Sequence, residues 1–477
     1  MNKQFETVIG LEVHLQLSTA TKAFCGCSTD FGALGNSQTC PVCLGFPGSL
    51  PVLNKKYLEY AIRVALGLNC KVQSLVKFDR KNYYYPDLPK NYQISQYDLP
   101  LSVNGFLDIK NDSGVRRVRI KRVHMEEDAG KLIHDTGTDY SWVDFNRSGI
   151  PLLEIVSEPD INSPQEAFDY LTALKLLLQY LEVSDCDMEK GSLRCDANIS
   201  LREKGVAALG VKTELKNMNS FKAVKAALAF EERRQAAALA AREKLIQETR
   251  LWDPDRQITV AMRSKEEAHD YRYFPDPDLV PFVISDEEVE KIRHQLPELP
   301  EARFKRFIAD YQLSAADNSA LIQGKQLSDY FEECARLYPL PKKICNWLLG
   351  AVAAEMNARK KDIRTLGLAP EQLAALIDMV EKGALSNLVA KEVLTKMLDR
   401  GRSAAEIVKE EGLAQVSSSE DLSVFVEEVI RENLKSVADF KAGKEGALMF
   451  LLGQVMKKSQ GKANPKMVGE ILREKLK

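Results

Sequence analysis

At 477 residues the chain exceeds the length at which one hydrophobic core stops growing, so two or three domains are expected. Hydrophobic residues at 45%, charged residues at 28% and a mean hydropathy of -0.26 exclude a disordered or fibrous chain. The formal charge of -2 conceals an uneven spread, because residues 441–477 hold nine Lys/Arg against three Asp/Glu, a charge of +6 that leaves -8 on the remainder. A basic tail on an acidic body is the footprint expected where a polyanion docks locally.

The opening MNKQFETVIG lacks a basic segment followed by an apolar run, and no stretch of about 18 uncharged apolar residues appears later. A cytoplasmic location is expected. Up to about Pro281 the chain alternates with period two in VIGLEVHLQL (8–17), RRVRIKRV (116–123), LRCDANISLR (193–202) and VKTELKN (211–217), the mark of half-buried antiparallel strands. Helical patterns interrupt them at 163–181, opened by Ser163 as N-cap and Pro164, and at 221–245. From residue 296 onward the spacing is helical throughout, with Pro and Gly as breakers. The fold class is therefore α+β: a first domain over 1–292 built on an antiparallel sheet, a helical domain over 293–406 and a small all-α tail domain over 407–477.

Four of the nine cysteines crowd together as CGC and CPVC, namely Cys25, Cys27, Cys40 and Cys43. Two close pairs joined by a loop supply the four thiolates that zinc favours, and with all four positions filled the ion's role is structural. The plainer alternative is four reduced thiols in a loop. Cys70, Cys186, Cys195, Cys334 and Cys345 stand singly, which does not make a disulfide framework.

In the first strand Ile9, Leu11, Val13, Leu15 and Leu17 share one face and Glu12, His14 and Gln16 the other. Asp196 and Asn198 lie likewise on LRCDANISLR, and Glu214 on VKTELKN. HMEEDAGK (124–131) adds Glu126, Glu127 and Asp128, and PLLEIVSEPD sets Glu154 inside an apolar strand, where an acid needs a cation or a donor. Magnesium suits such a set; a solvated sheet face is the alternative for any one strand. No P-loop, GxGxxG or GxSxG motif is present.

These segments, with FDRKNYYYPDLPKNYQISQ (78–96), DFNRSGIPLLEIVSEPD (144–160), KTELKNMNS (212–220), ETRLWD (248–253) and DYRYFPDPDLVP (270–281), together resemble the B-subunit family of the glutamyl/aspartyl-tRNA amidotransferases. The tail GQVMKKSQGKANPKMVGEILREKL (453–476) is similar to the C-terminal domain that these subunits share with YqeY-like proteins. The resemblance implies a cradle domain, a helical domain and a tRNA-binding tail. Its activity would be the ATP-dependent phosphorylation of the side-chain carboxylate of Glu-tRNA(Gln) or Asp-tRNA(Asn), followed by amidation.

Carried over by motif, the phosphoryl-transfer residues would be Glu12, His14, Glu127, Glu154, Asp196 and Glu214, with magnesium on His14, Glu127 and Glu154; Glu126 is the neighbour that competes with Glu127 for the metal. Arg80, Lys81 and Lys90 would meet phosphates, and Tyr83, Tyr84 and Tyr85 would stack on bases at the tRNA 3' end, unless this loop is an ordinary Tyr-rich turn. Lys462, in the Gly461 to Pro465 turn, would contact the tRNA backbone. No amidase signature or glutaminase cysteine is evident, so the resemblance implies an amidase A subunit, a small C subunit and a polar tunnel for ammonia. A zinc-containing tRNA-binding scaffold without chemistry is the competing expectation. The residues leave open whether Glu-tRNA, Asp-tRNA or both is the substrate.

Overall fold

The alternation of the first segment folds as a strand over Phe5–Gln16 in which Ile9, Leu11, Val13 and Leu15 are buried and Glu12, His14 and Gln16 half-buried. The computed structural model describes residues 5–111, 114–134, 137, 139–262, 271–413, 419–459 and 463–476. Its contacts divide the chain into two units, Met1–Pro300 and Glu301–Lys477.

The first unit is built on a nine-stranded sheet. Its order is Ile258–Ala261, Glu248–Asp253, Thr213–Lys216, Leu193–Glu203, Phe5–Gln16, Pro151–Ser157, Gly114–Glu127, Ser102–Asn111 and Lys71–Val72. Neighbours are antiparallel except Thr213–Lys216 with Glu248–Asp253, and the helix Phe221–Ala240 between those two strands is the crossover that a parallel pair requires. The apolar residues of the central strands join the helices Lys55–Gly67, Pro164–Tyr180 and Phe221–Ala240 in one core that includes Tyr57, Tyr170, Leu174, Leu178, Val224 and Leu228. Each such side chain contributes roughly 1.5–3 kcal/mol when fully buried.

The helix caps follow the sequence. Ser163 accepts from the Glu166 amide with Pro164 at the first position, and Ser220 accepts from the Ala223 amide. The second helix ends at Ala240 rather than running to 245: Arg242 is left-handed at φ 59°, and beyond it Ile246 stays 62% exposed, so no apolar stripe remains to hold another turn. Inside the helix the buried Glu231 ties it to the sheet edge, receiving hydrogen bonds from Arg234, Gln235 and Thr259 with Arg250 at 3.6 Å.

The second unit is helical and holds two cores. One gathers apolar residues from Phe307 to Val408, and the helix Ala404–Glu411 adds Ile407 and Val408 to it; the other gathers residues from Leu422 to Leu476. Within the unit the helical run Pro341–Trp347 continues through a π-helical turn at Leu348–Val352 into Ala353–Arg359. No described helix is long and apolar enough to cross a membrane.

Candidate active site and metal centres

Strand pairing lines up the side chains of the sheet's polar face in a cross-strand row. His14 lies opposite Arg194 on one side and Glu154 on the other, and Glu154 lies opposite His124. Two residues beyond His124, on the same face, is Glu126. His14, Glu126 and Glu154 each offer a ligand atom within 4.8 Å of one another. His14 Nε2 is 3.7 Å from Glu126 Oε1 and 3.8 Å from Glu154 Oε2. These separations are too long for hydrogen bonds, but they suit groups sharing a small divalent ion, whose ligands sit about 3–4 Å apart. Burial works to raise the Glu154 carboxyl, but His124, His14 and Lys81 outweigh it and hold it well below the usual range.

Glu127, expected with this group, is not in it. As the next residue of the strand it turns to the other face, where its carboxylate takes Lys90 Nζ and, at 2.9 Å, the Ile94 N–H. Lys90 is thereby spent on a buried ion pair. Glu12, Asp196 and Glu214 do lie on the polar face, further along it. Glu12 accepts from Asn198 Nδ2 at 2.9 Å, while Lys216 Nζ reaches Asp196 at 2.5 Å and Glu214 at 3.1 Å. Glu214 also accepts from Thr249 Oγ1 at 2.7 Å.

Sequence alone names Asp128 only as part of the acidic run and gives His124 no role. Asp128 is buried beside the group, with Gln16 Nε2 at 2.5 Å, Arg194 at 2.9 Å and Arg147 at 3.6 Å. Burial opposes its ionisation, but the two arginines keep its carboxyl below the usual range. His124 is buried, its Nε2 3.0 Å from Glu154 Oε2 and 3.7 Å from Glu126 Oε2. Burial lowers its pKa, yet Glu154 and Glu126 bring it up to about 9. Arg122 Nε, 3.3 Å from Nδ1, needs that nitrogen as an acceptor and so favours the neutral Nε2–H form, as would a cation that relieves the carboxylates of their charge. Strand parity was the missed signal, since positions 124, 126 and 128 share a face that 127 does not. Among the described residues on this face, Asn198 Oδ1 and Arg194 Nε are buried without a hydrogen-bond partner and leave polar capacity for a ligand.

Aromatic rings stand beside the same face. After burial, Glu126 is the strongest influence raising the phenols of both Tyr83 and Tyr273. Tyr273 stacks on Tyr97 at 4.5 Å, and Lys81 lies 4.8 Å from the Tyr271 ring centre. Tyr84 and Tyr85 are exposed. Arg80 is held by Asp276 and Asp278, both at 2.9 Å, and by the Tyr92 ring. Of the three cations expected to meet phosphates, Lys81 is the one whose charge acts on Glu154.

The sulfurs of Cys25, Cys27, Cys40 and Cys43 all lie within 4.8 Å of one another, with Cys40 and Cys43 at 3.9 Å. Tetrahedral zinc with bonds of about 2.3 Å sets its sulfurs about 3.8 Å apart, so the donor set fits the ion. The fully buried Lys22 places Nζ 3.7 Å from Cys43 Sγ and 3.3 Å from the Phe145 carbonyl, and a buried ammonium needs an anion. A hydrogen bond from Cys25, the Cys40 amide and the Lys22 charge hold the Cys43 thiol down to about 4 against the opposing effect of burial. A cavity of 270 Å³ separates this knuckle from Arg80, Lys90 and Glu127.

In the second unit Lys462 lies outside the described residues. Part of the tail's charge is balanced within it: Lys444 meets Asp439 at 2.9 Å, Lys458 meets Glu428 and Glu432 at 2.8 and 2.6 Å, and Lys475 meets Glu427. Residues 407–440 carry three Lys/Arg and eight Asp/Glu, so 407–477 as a whole is only +1.

Residues 7–290, which hold both the cysteine knuckle and the carboxylate face, match the family described as the GatB/GatE catalytic domain, and residues 329–476 match the GatB domain. The chain is 54% identical over 477 residues to the B subunit of the aspartyl/glutamyl-tRNA(Asn/Gln) amidotransferase of Carboxydothermus hydrogenoformans, covering 99% of each. It is 53% identical over 473 residues to the same subunit of Caldanaerobacter subterraneus, again 99% of each. With that of Moorella thermoacetica it shares 52% over 475 residues, 99% of this chain and 100% of the relative. The chain belongs to the GatB family.

Proposed function

We propose that this chain acts as the B subunit of an aspartyl/glutamyl-tRNA(Asn/Gln) amidotransferase, in which it activates the tRNA-bound side-chain carboxylate with ATP and passes it to ammonia. The observation that carries the reading is the cluster of His14, Glu126 and Glu154 on the polar face, within a chain related end to end to that subunit.

A carboxylate is a poor acyl donor because its leaving group would be oxide. Its oxygen therefore attacks the γ-phosphorus of ATP, the bond from that phosphorus to the β-bridging oxygen breaks, and ADP leaves. Ammonia then adds to the acyl carbon, the bond to the phosphoryl oxygen breaks, and phosphate and a proton depart. Both steps depend on positioning and charge compensation. A magnesium ion held by His14, Glu126 and Glu154 would neutralise phosphate charge there. Lys81, whose charge already acts on Glu154, is the side chain best set to meet phosphates, with Glu12, Asp196 and Glu214 bordering the site. Tyr83, with the exposed Tyr84 and Tyr85, offers rings to the bases of the tRNA 3' end.

Ammonia comes from an amidase-type A subunit, in a complex completed by a small C subunit. On this chain the five cysteines outside the knuckle are buried, so none is placed as a glutaminase nucleophile. The cavity flanked by Lys90 and Glu127 supports a polar route for ammonia toward the sheet. Zinc on Cys25, Cys27, Cys40 and Cys43 would pin the loop that follows the first strand. The division of labour is a cradle over 1–292, a helical domain from 293 and a tRNA-binding tail that begins beyond Leu413 instead of at 407, because Ile407 and Val408 pack in the middle core. Amide formation on Glu-tRNA(Gln) and on Asp-tRNA(Asn), assayed with the partner subunits with and without ATP, tests the reading; ATP-independent product would remove the activation step from it.

A further inference from the structure

The two carboxylates of the central group come from neighbouring strands whose backbones are tied together. Tyr57 Oη donates to the carbonyls of both Glu126 and Leu152 at 2.8 Å. What remains free is the rotation of each carboxylate, and two buried anions side by side tend to splay apart. His124 stands where that rotation is decided. Its Nε2 lies 3.0 Å from Glu154 Oε2 and 3.7 Å from Glu126 Oε2, and Ser95 Oγ is 3.4 Å from that same Glu126 oxygen. With Ser95 Oγ and His124 both on the Oε2 side, Oε1 of Glu126 is the oxygen turned to His14.

We propose that His124 is a positioning residue that orients Glu126 and Glu154 for a divalent cation without being a ligand itself. With Arg122 Nε 3.3 Å from its other nitrogen and Glu154 Oε2 3.0 Å from Nε2, Nε2 carries a hydrogen whether the ring is neutral or charged. A nitrogen that carries hydrogen has no lone pair for a metal, whereas it can donate to the carboxylates. Outer hydrogen bonds of this type fix the orientation of ligating carboxylates, and their loss costs about 10–100-fold in metal affinity. The inference rests on reading His14, Glu126 and Glu154 as a cation site.

The test measures Mn2+ binding to the full-length chain by electron paramagnetic resonance of the free ion, since manganese accepts both oxygen and imidazole ligands. His124→Gln carries an amide N–H that reaches the place of Nε2, while His124→Asn is too short to reach the carboxylates. The expected result is a loss of about tenfold or more in Mn2+ affinity for Asn, against a change within about threefold for Gln, with the two variants melting alike. An equal effect of the two substitutions, whether none or large, overturns the proposal. Glu154→Gln is the separate control: if it binds Mn2+ as the parent does, the cation site itself is overturned, and if it alone loses binding, only the role of His124 is.

Discussion

Glu126 and Glu127, adjacent in sequence, turn their carboxylates to opposite faces of one sheet: Glu126 to His14, 3.7 Å away, and Glu127 to Lys90 and the Ile94 amide. Their isosteric variants should therefore fail in different ways. Glu126→Gln is expected to lose Mn2+ binding and ATP-dependent phosphorylation while melting near the parent temperature. Glu127→Gln leaves Lys90 buried without its counter-ion and should cost about 3–5 kcal/mol in urea unfolding while retaining Mn2+ binding. The reverse pattern would place Glu127 at the cation.

The cysteine knuckle predicts about one zinc per chain by metal analysis of reduced protein. Cys40→Ser should release it and lower stability. Lys22→Met keeps all four sulfurs but removes the buried ammonium beside Cys43, and should raise the rate at which a chelator strips the metal by about tenfold or more. Chelation at the parent rate would mean that Lys22 does not share the thiolate charge.

Glu231 gives a pH signature away from either centre. Burial opposes its charge, but Arg234, Gln235 and Thr259 hold its carboxyl below the ordinary value. A depressed acid contributes stability that is present above the unfolded-state pKa and lost as pH falls through the folded one. Glu231→Gln should thus be less stable than the parent by about 3 kcal/mol near neutrality. The gap should close progressively in denaturant titrations taken from pH 6 toward pH 3, and a gap independent of pH would contradict the assignment.

The polar face was legible in the sequence because the alternation around Glu12, His14 and Gln16 fixes which side chains share a side, whatever the strand's neighbours are. Register was not legible. That His14 sits between Arg194 and Glu154, or that Lys216 fills the space between Asp196 and Glu214, depends on pairing between segments far apart in the chain. Treating HMEED as a run of acids, instead of as the end of a strand, is what hid the difference between Glu126 and Glu127. The CGC and CPVC pairs were legible because their spacing is local, but the buried Lys22 beside them was not, since nothing in the order of residues marks a lysine as internal.

For the tail, truncation has to begin beyond Leu413, because Ile407 and Val408 belong to the middle core. Removing 414–477 should weaken tRNA binding and lower the slope of log affinity against log salt by about one to three, while amidation at saturating tRNA persists. The shift is small because acidic residues within the tail already balance several of its lysines. Identical slopes for full-length and truncated complexes would mean that the tail does not touch the tRNA.

On the proposed function, the polar face built from His14, Glu126 and Glu154 activates the tRNA-bound carboxylate. With ATP and Glu-tRNA(Gln) or Asp-tRNA(Asn) labelled in the aminoacyl group, the complex with its partner subunits should, when ammonia is withheld, form an activated acyl phosphate that hydroxylamine traps as a labelled hydroxamate. Glu154→Gln should reduce the trapped product by about a hundredfold or more, a loss of roughly 3 kcal/mol in transition-state stabilisation, with tRNA binding unchanged. Trapped product at the parent level from Glu154→Gln and Glu126→Gln alike would mean that this face does not activate the carboxylate.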